Sequence, residues 1–320
     1  MPAIVTLTLN PALDVSTAAP AVRPTIKVRC ETPSAQAGGG GINVARVARR
    51  FGGNALALFP SGGVSGARVA ESLASEAIPT LPVPIKGETR ESFTVTDHET
   101  GEQFRFVLPG PTLSEAEEAA MLSALSNLHS APQIIVVSGS FPPGLSPTFL
   151  KSVGEHAAKI GATLIVDGPR EVLTQCHGAS LIKPNLRELE TIAGRPLPTW
   201  DDQIAFAKTL RAEGVSANVL VSLGEDGALL ITEDEAVHFT VPPVTLVSAV
   251  GAGDSMVGAL VAALVRGDDL ATAALEGAAA GTAALLTPGT ELCHVADAEA
   301  LRSKITVKPV LAPSLRAAEG

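Results

Sequence analysis

Val247, Ser248, Ala249, Val250, Gly251, Ala252, Gly253, Asp254 runs straight into the alanine-rich apolar stretch Ser255 to Val265, and the fold reads outward from this junction. Glycines just before a helix let backbone N–H groups converge on an anion, and the helix dipole adds roughly half a positive charge at that end. The turn is therefore a phosphate site. A carboxylate there would repel an anion, unless it has chemistry of its own. The same dipole keeps Asp254 ionised and aims it at a hydroxyl attacking phosphorus, as a general base requires. From the GxGD pattern alone, an Asp capping a core helix fits as well. GxxxxGK[ST] is absent, and so are HRD and DFG, which removes the P-loop and protein-kinase routes to ATP.

Short β-rich runs recur along the chain: Ile4 to Leu9, Ala55 to Phe59, Ile134 to Ser138, Thr163 to Val166, Ser180 to Ile182, Asn218 to Ser222 and Ala228 to Ile231. Amphipathic segments such as Ile42 to Phe51 and Asp201 to Glu213 lie between them, which predicts a three-layer α/β/α fold on a mostly parallel sheet. Two segments break the rhythm. Arg23 to Ala35 reads as extended, and Glu91 to Val107 alternates on both sides of a Thr100, Gly101 turn, with Phe93 and Val95 facing Phe104 and Phe106. Together they predict a small antiparallel β lid, built from residues 12–35 and 88–108, over a cleft or a second subunit. Residues 1–308 form one domain in this reading, and 309–320, rich in Pro and Ala, a disordered tail.

Of 320 residues, 46% are hydrophobic and 18% charged, enough apolar surface for a large core. The net charge of −10 disfavours nucleic acid and anionic membranes as partners, so an anionic ligand needs a local basic pocket. Cys30, Cys176 and Cys293 are widely spaced without CxxC, which fits a reducing cytoplasm. The apolar run Met256 to Val265 is too short to span a bilayer, and the N-terminus lacks a signal-peptide pattern, so neither secretion nor a membrane span is expected.

Gly38 to Gly41 precede a second helix, and so costly a run of glycines suggests close approach of a small ligand. Asn43, one turn inside that helix, offers a donor and an acceptor to a sugar hydroxyl. Asp14 follows the first strand, Ser138 to Gly144 ends another, Lys183, Pro184, Asn185 and Glu188 lie between a third strand and a helix, and Ser222, Leu223, Gly224 with Gly227 end a fourth. Each has an ordinary alternative as a loop acid, turn or helix cap. On a parallel sheet, however, all converge on one edge, where α/β proteins bind ligands.

Gly39, Gly40, Gly41, Ile42, Asn43, Val44, Ala45 and Val250, Gly251, Ala252, Gly253, Asp254, Ser255 resemble the two signatures of the PfkB, or ribokinase-like, family of carbohydrate kinases. The resemblance runs in matching order up to about residue 300. The opening Thr6 to Asp14 and the group Lys183, Pro184, Asn185, Glu188 are similar to the branch acting on phosphorylated hexoses. Gly38 to Gly41 is similar to the 6-phosphofructokinase form, whereas 1-phosphofructokinases usually carry lysine where this chain has Gly40; Lys27 to Cys30 and Gln103 to Gly110 point the same way. The resemblance thus implies ATP-dependent phosphorylation of fructose 6-phosphate at its C1 hydroxyl, with 1-phosphofructokinase or tagatose-6-phosphate kinase as alternatives. A nucleotide sensor without catalysis is disfavoured by the intact Asp254.

By resemblance, Asp254 is the base, and Gly251, Ala252 and Gly253 bind charge on the transferred phosphoryl. Asp14, Gly39, Gly40 and Asn43 hold the sugar, Lys27, Arg90 and Ser138 sit around its phosphate or the bridging phosphoryl, and Arg105 is a further substrate-binding residue. Lys183, Asn185, Ser222, Gly224 and Gly227 line the ATP pocket, with Glu188 organising Mg²⁺ through water. Carbonyls near Ser248, Val250, Ala284 and Gly289 are the expected K⁺ loop, although Thr287, Pro288 and Glu291 stand where relatives often carry Asn, Gln and Arg. The lid is expected to pair with its twin in a homodimer.

Overall fold

The computed structural model describes residues 2–310. Chain order begins β1 (Ile4–Leu7), β2 (Ala12–Ala19), β3 (Ser34–Gly38), α1 (Gly40–Arg50), β4 (Ala55–Ser61), α2 (Gly63–Ser75), β5 (Thr80–Pro84), β6 (Arg90–Asp97), β7 (Gln103–Val107) and α3 (Glu115–Ser126). It continues with β8 (Ile134–Ser138), α4 (Phe149–Ile160), β9 (Thr163–Asp167), α5 (Arg170–Leu173), β10 (Ala179–Ile182), α6 (Leu186–Ala193), α7 (Trp200–Ala212) and β11 (Ser216–Ser222). A 3₁₀ turn at 224–226 precedes β12 (Ala228–Ile231), β13 (Ala236–Thr240), α8 (Ala252–Arg266), α9 (Leu270–Ala284), α10 (Val295–Arg302) and β14 (Thr306–Val310).

The main sheet has ten strands in the order β14-β13-β12-β11-β10-β9-β8-β1-β4-β5; the seven from β11 to β5 are parallel, and β12, β13 and β14 add antiparallel. The central strands β1 and β8 are buried along their whole length, as parallel strands covered on both faces must be. Their two-residue period divides the core. Ile4, Ile134 and Val136 pack with α1, α2, α8 and α9, while Val5, Ile135 and Val137 pack with α3, α4 and α7 on the other face. Each such side chain contributes about 1.5–3 kcal/mol by leaving water. Gly258, which interrupts the apolar run of α8, is where α1 crosses: an added Cβ would stand 2.5 Å from Val47 Cβ.

The second sheet runs β3-β2-β6-β7. The β6–β7 hairpin has the expected register, Phe93 opposite Phe106 and Val95 opposite Phe104. Both outer pairings are antiparallel as expected, but the central β2–β6 pair is parallel, so the lid is mixed. The extended segment expected at Arg23 to Ala35 is displaced. The strand is Ala12–Ala19, and residues 20–33 form a loop in which Thr25 has φ 66°. Alternation in β2 is weak because small residues, Ser16 to Ala19, fill it. Pro309 and Val310, expected in the tail, pair with Val237 and Ala236 in the edge strand β14, a place where proline is tolerated. The rest of that tail lies outside the described residues. Among the described residues, no helix is long and apolar enough to cross a membrane.

Candidate active site

The carboxyl ends of the parallel strands and the starts of α1 and α8 meet on one edge. Gly39 and Gly251 are the N-caps of these two helices and neither provides a side-chain cap, so their first backbone N–H groups remain available to an anion. Gly251 holds the left-handed φ of 77° that this turn needs. Asp254 is the third residue inside α8 rather than its cap, and its Oδ2 accepts a hydrogen bond from Asn43 Nδ2 at 2.8 Å. The helix-capping alternative is thereby excluded.

Two cavities adjoin this turn. One, of about 370 Å³, lies between the turn and the lid; Asp14, Gly39, Gly40, Asn43, Arg90, Arg105, Gly251 and Asp254 line it. The other, of about 240 Å³, lies on the far side among Asn185, Ser222, Gly224, Gly227, Ala252, Gly253 and the apolar faces of α8 and α9. Ala249 borders both.

Charge distinguishes them. In the lid-side cleft, burial pushes the Asp14 carboxyl up, and Arg90, Arg105 and Arg46 oppose this. Burial lowers the Arg90 pKa against the pull of Asp14, and its guanidinium is held by the carbonyls of Asn10 (3.1 and 3.2 Å) and Leu108 (3.2 Å). Beneath the turn, Lys183 Nζ lies 3.0 Å from Asp167 Oδ1 in a buried pair. Burial works against the Lys183 charge, but Asp167, Glu188 and Asp254 outweigh it and raise its pKa. Burial, and then the Asp167 carboxylate, raise Asp254 to about 6, with Asn43 and Lys183 acting the other way. A base poised just below neutrality is ionised at pH 7 yet retains affinity for a proton.

Most of the expected residues meet here, and some are used differently. Gly38 and Gly40 make room for the protein's own atoms as well as a ligand: added Cβ atoms would stand 1.9 Å from Asp14 Oδ2 and 2.4 Å from Ser138 Oγ. Ser138 is buried under Gly40, donating to Asp167 Oδ2 at 3.2 Å, and lines neither cavity. Lys27 stands exposed on the 20–33 loop and lines neither cavity. Asn185 and Glu188 form a capping box on α6, each side chain accepting the other's backbone N–H at 2.8 Å. Ser248 Oγ donates to the Gly289 carbonyl (2.8 Å), and Thr287 Oγ1 lies 2.8 Å from the Ala284 carbonyl. Hydroxyls of this chain thus already engage two carbonyls of the expected cation loop, near the Val250 turn.

Asp167 was not singled out by sequence, yet it links Ser138, Lys183 and Asp254. The available signal was position: it ends β9 as Ser138 ends β8, and the two are register partners.

A buried carboxylate between two uncapped, glycine-led helix ends, beside a charged cleft and an apolar one, is the equipment of an enzyme that transfers phosphoryl groups to an alcohol. The sequence pattern of the pfkB family carbohydrate kinases matches residues 8–297. ATP-dependent 6-phosphofructokinase isozyme 2 of Mycobacterium tuberculosis (strain CDC 1551 / Oshkosh) is 43% identical over 299 residues, 93% of this chain and 88% of that one. The protein of the same name from Escherichia coli (strain K12) is 40% identical over 299 residues, covering 92% and 96%. The crystal structure of phosphofructokinase-2 from Escherichia coli in complex with potassium superposes with a TM-score of 0.88 at 38% identity, covering 95% of this chain and 99% of that one. The chain belongs to the pfkB family of carbohydrate kinases.

Proposed function

We propose that this kinase transfers the γ-phosphoryl group of ATP to the C1 hydroxyl of fructose 6-phosphate. The observation that carries the reading is that a charged cleft holding Asp254 and an apolar cavity both adjoin the glycine turn at the start of α8. The names of the relatives support the choice of sugar.

In this reading the sugar phosphate lies under the lid. Arg90 and Arg105 answer its phosphate charge, and Asp14 and the Gly39 and Gly40 backbone take its hydroxyls. The adenine lies against the apolar walls of the second cavity, beside Ser222 and Gly224. Asp254 removes the C1 hydroxyl proton as the oxygen attacks; the γ-phosphoryl leaves the ADP oxygen, and the N–H groups from Gly251 to Gly253 and the Lys183 ammonium meet the charge that develops.

Among the described residues no group of three or more His, Cys, Asp or Glu side chains could hold a metal ion. That suits a magnesium ion carried mainly by nucleotide phosphates and water, with Glu188 as its protein anchor. When bound, it neutralises phosphate charge.

Side-by-side assays of fructose 6-phosphate, fructose 1-phosphate and tagatose 6-phosphate test the substrate. Fructose 6-phosphate is expected to give the highest kcat/KM, and a higher value for either of the others refutes that assignment.

The lid exposes Phe93, Phe106, Val107 and Leu108 in one region, an apolar surface suited to a second copy. We infer a lid-to-lid homodimer. Light scattering is expected to give twice the chain mass, and a monomer at assay concentration excludes it.

A further inference from the structure

Arg46 lies on α1, three residues beyond Asn43. The structure buries it, at 7% exposure. Its Nε and Nη2 each donate to Glu76 at 2.6 Å, a two-pronged clasp onto the C-terminal end of α2. Its Nη1 donates to the Ala37 carbonyl in β3 (2.5 Å) and to Asn43 Oδ1 (3.1 Å). Asn43 in turn donates from Nδ2 to Asp254 at 2.8 Å.

An amide can be turned end for end at no covalent cost, but not beside a guanidinium. Arginine only donates, and an ionised carboxylate only accepts. With Arg46 held by Glu76 and Ala37, the Asn43 oxygen must face the arginine and its NH₂ must face Asp254. We infer that Arg46 is a positioning residue for the reaction, fixing the Asn43 amide so that it donates to the base. The inference rests on the reading of Asp254 as that base. Asn43, expected as a sugar ligand offering donor and acceptor, has one of each engaged by the protein.

The consequence is electrostatic. The other charged groups around Asp254 are Asp167 and Lys183 from β9 and the end of β10, and Asp14, Arg90 and Arg105 from the lid side. The hydrogen bond from Asn43 favours the carboxylate, so losing it raises the Asp254 pKa further above the ordinary range. Activity then needs a higher pH.

Arg46→Met removes every donor while keeping length and burial. We expect kcat at pH 5 to fall about tenfold, the KM for sugar phosphate to change less than about threefold, and the acid limb of the kcat profile to move up by about one pH unit, the size of one hydrogen bond to a charge. In an Asn43→Leu background the same substitution is expected to move the limb no further, because its route to Asp254 is gone. Arg46→Lys is expected to recover part of the shift, limited by the loss of the planar fork. Should Arg46→Met fail to fold, Glu76→Gln loosens the clasp from outside, and a smaller limb shift in the same direction is expected.

A uniform loss of kcat at all pH values would overturn the proposal, leaving Arg46 a mere tie between α1 and α2. So would an equal limb shift with and without Asn43. Asp254→Asn separates this from failure of the underlying reading. Retained turnover there refutes the base itself, whereas an inactive Asp254→Asn with an unmoved limb in Arg46→Met refutes only the positioning.

Discussion

The two cavities beside the α8 turn are built from different parts of the fold, and their contrast shows how the labour is divided. The cavity proposed for the nucleotide is cut into the main body, between α8, α9 and the end of β11, and its walls are largely apolar. The cleft proposed for the sugar phosphate is completed by the second sheet, which brings Asp14, Arg90 and Arg105 over the sheet edge. A flat, neutral ring needs shape and dry contact. A phosphorylated sugar needs charge. In a protein with a net charge of −10, the lid turns two arginines, Arg90 and Arg105, toward that cleft.

The turn from Ala249 to Gly253 borders both cavities and Asp254 follows it directly, so the largest effect is expected there. Asp254→Asn is expected to lower kcat by at least about a hundredfold, the contribution of a positioned general base, while ATP binding followed by calorimetry persists. In its proposed role Asp254 acts as a carboxylate, and its pKa is raised to about 6, so kcat/KM is expected to fall as pH drops through that value. A profile flat down to pH 4 would remove Asp254 from its role.

A smaller, one-sided effect is expected from the lid. Arg90→Met takes away a charge that the main body does not replace, and the KM for sugar phosphate is expected to rise about 10- to 100-fold, the range for a hydrogen bond to a charged group. Initial-rate measurements check this, with the KM for ATP unchanged. If both constants rose together, the two cavities would not be functionally separate. Least is expected from Asn185→Ala in the nucleotide-side wall. It should raise the KM for ATP by a few-fold and cost about 1 kcal/mol of stability through the lost α6 cap, read as a lower Tm. A rise in the sugar-phosphate KM instead would reverse the assignment of that wall.

The body was far more legible than the lid. Strands such as β8, Ile-Ile-Val-Val-Ser, are apolar throughout, and a run buried on both faces carries its own signal. β2, Ala-Leu-Asp-Val-Ser-Thr-Ala-Ala, is half-buried, small and polar, and its pairing is decided by β6, more than seventy residues away. β5, with prolines at positions 82 and 84, and the edge strand β14 gave no alternating pattern and were missed. Most residues singled out at a glycine turn, and some at strand ends, line one of the two cavities, because those places are special whatever the fold. Asp167, although it ends β9, and Arg46 carry no such mark: an acid at a strand end and an arginine in a helix are common, and only their neighbours make them unusual.

At the Gly251 to Asp254 turn, sequence by itself determined the kind of chemistry: glycines that free backbone N–H groups before a helix, and an acid one turn inside it. That follows from local backbone freedom and needs no distant partner. Tertiary structure decided the state of the acid. Asp254 lies buried beside Asp167 and Lys183 and takes its hydrogen bond from an asparagine 211 residues away, held in place by Arg46. A pKa is set by everything within a few ångströms, and no stretch of sequence contains its own neighbours.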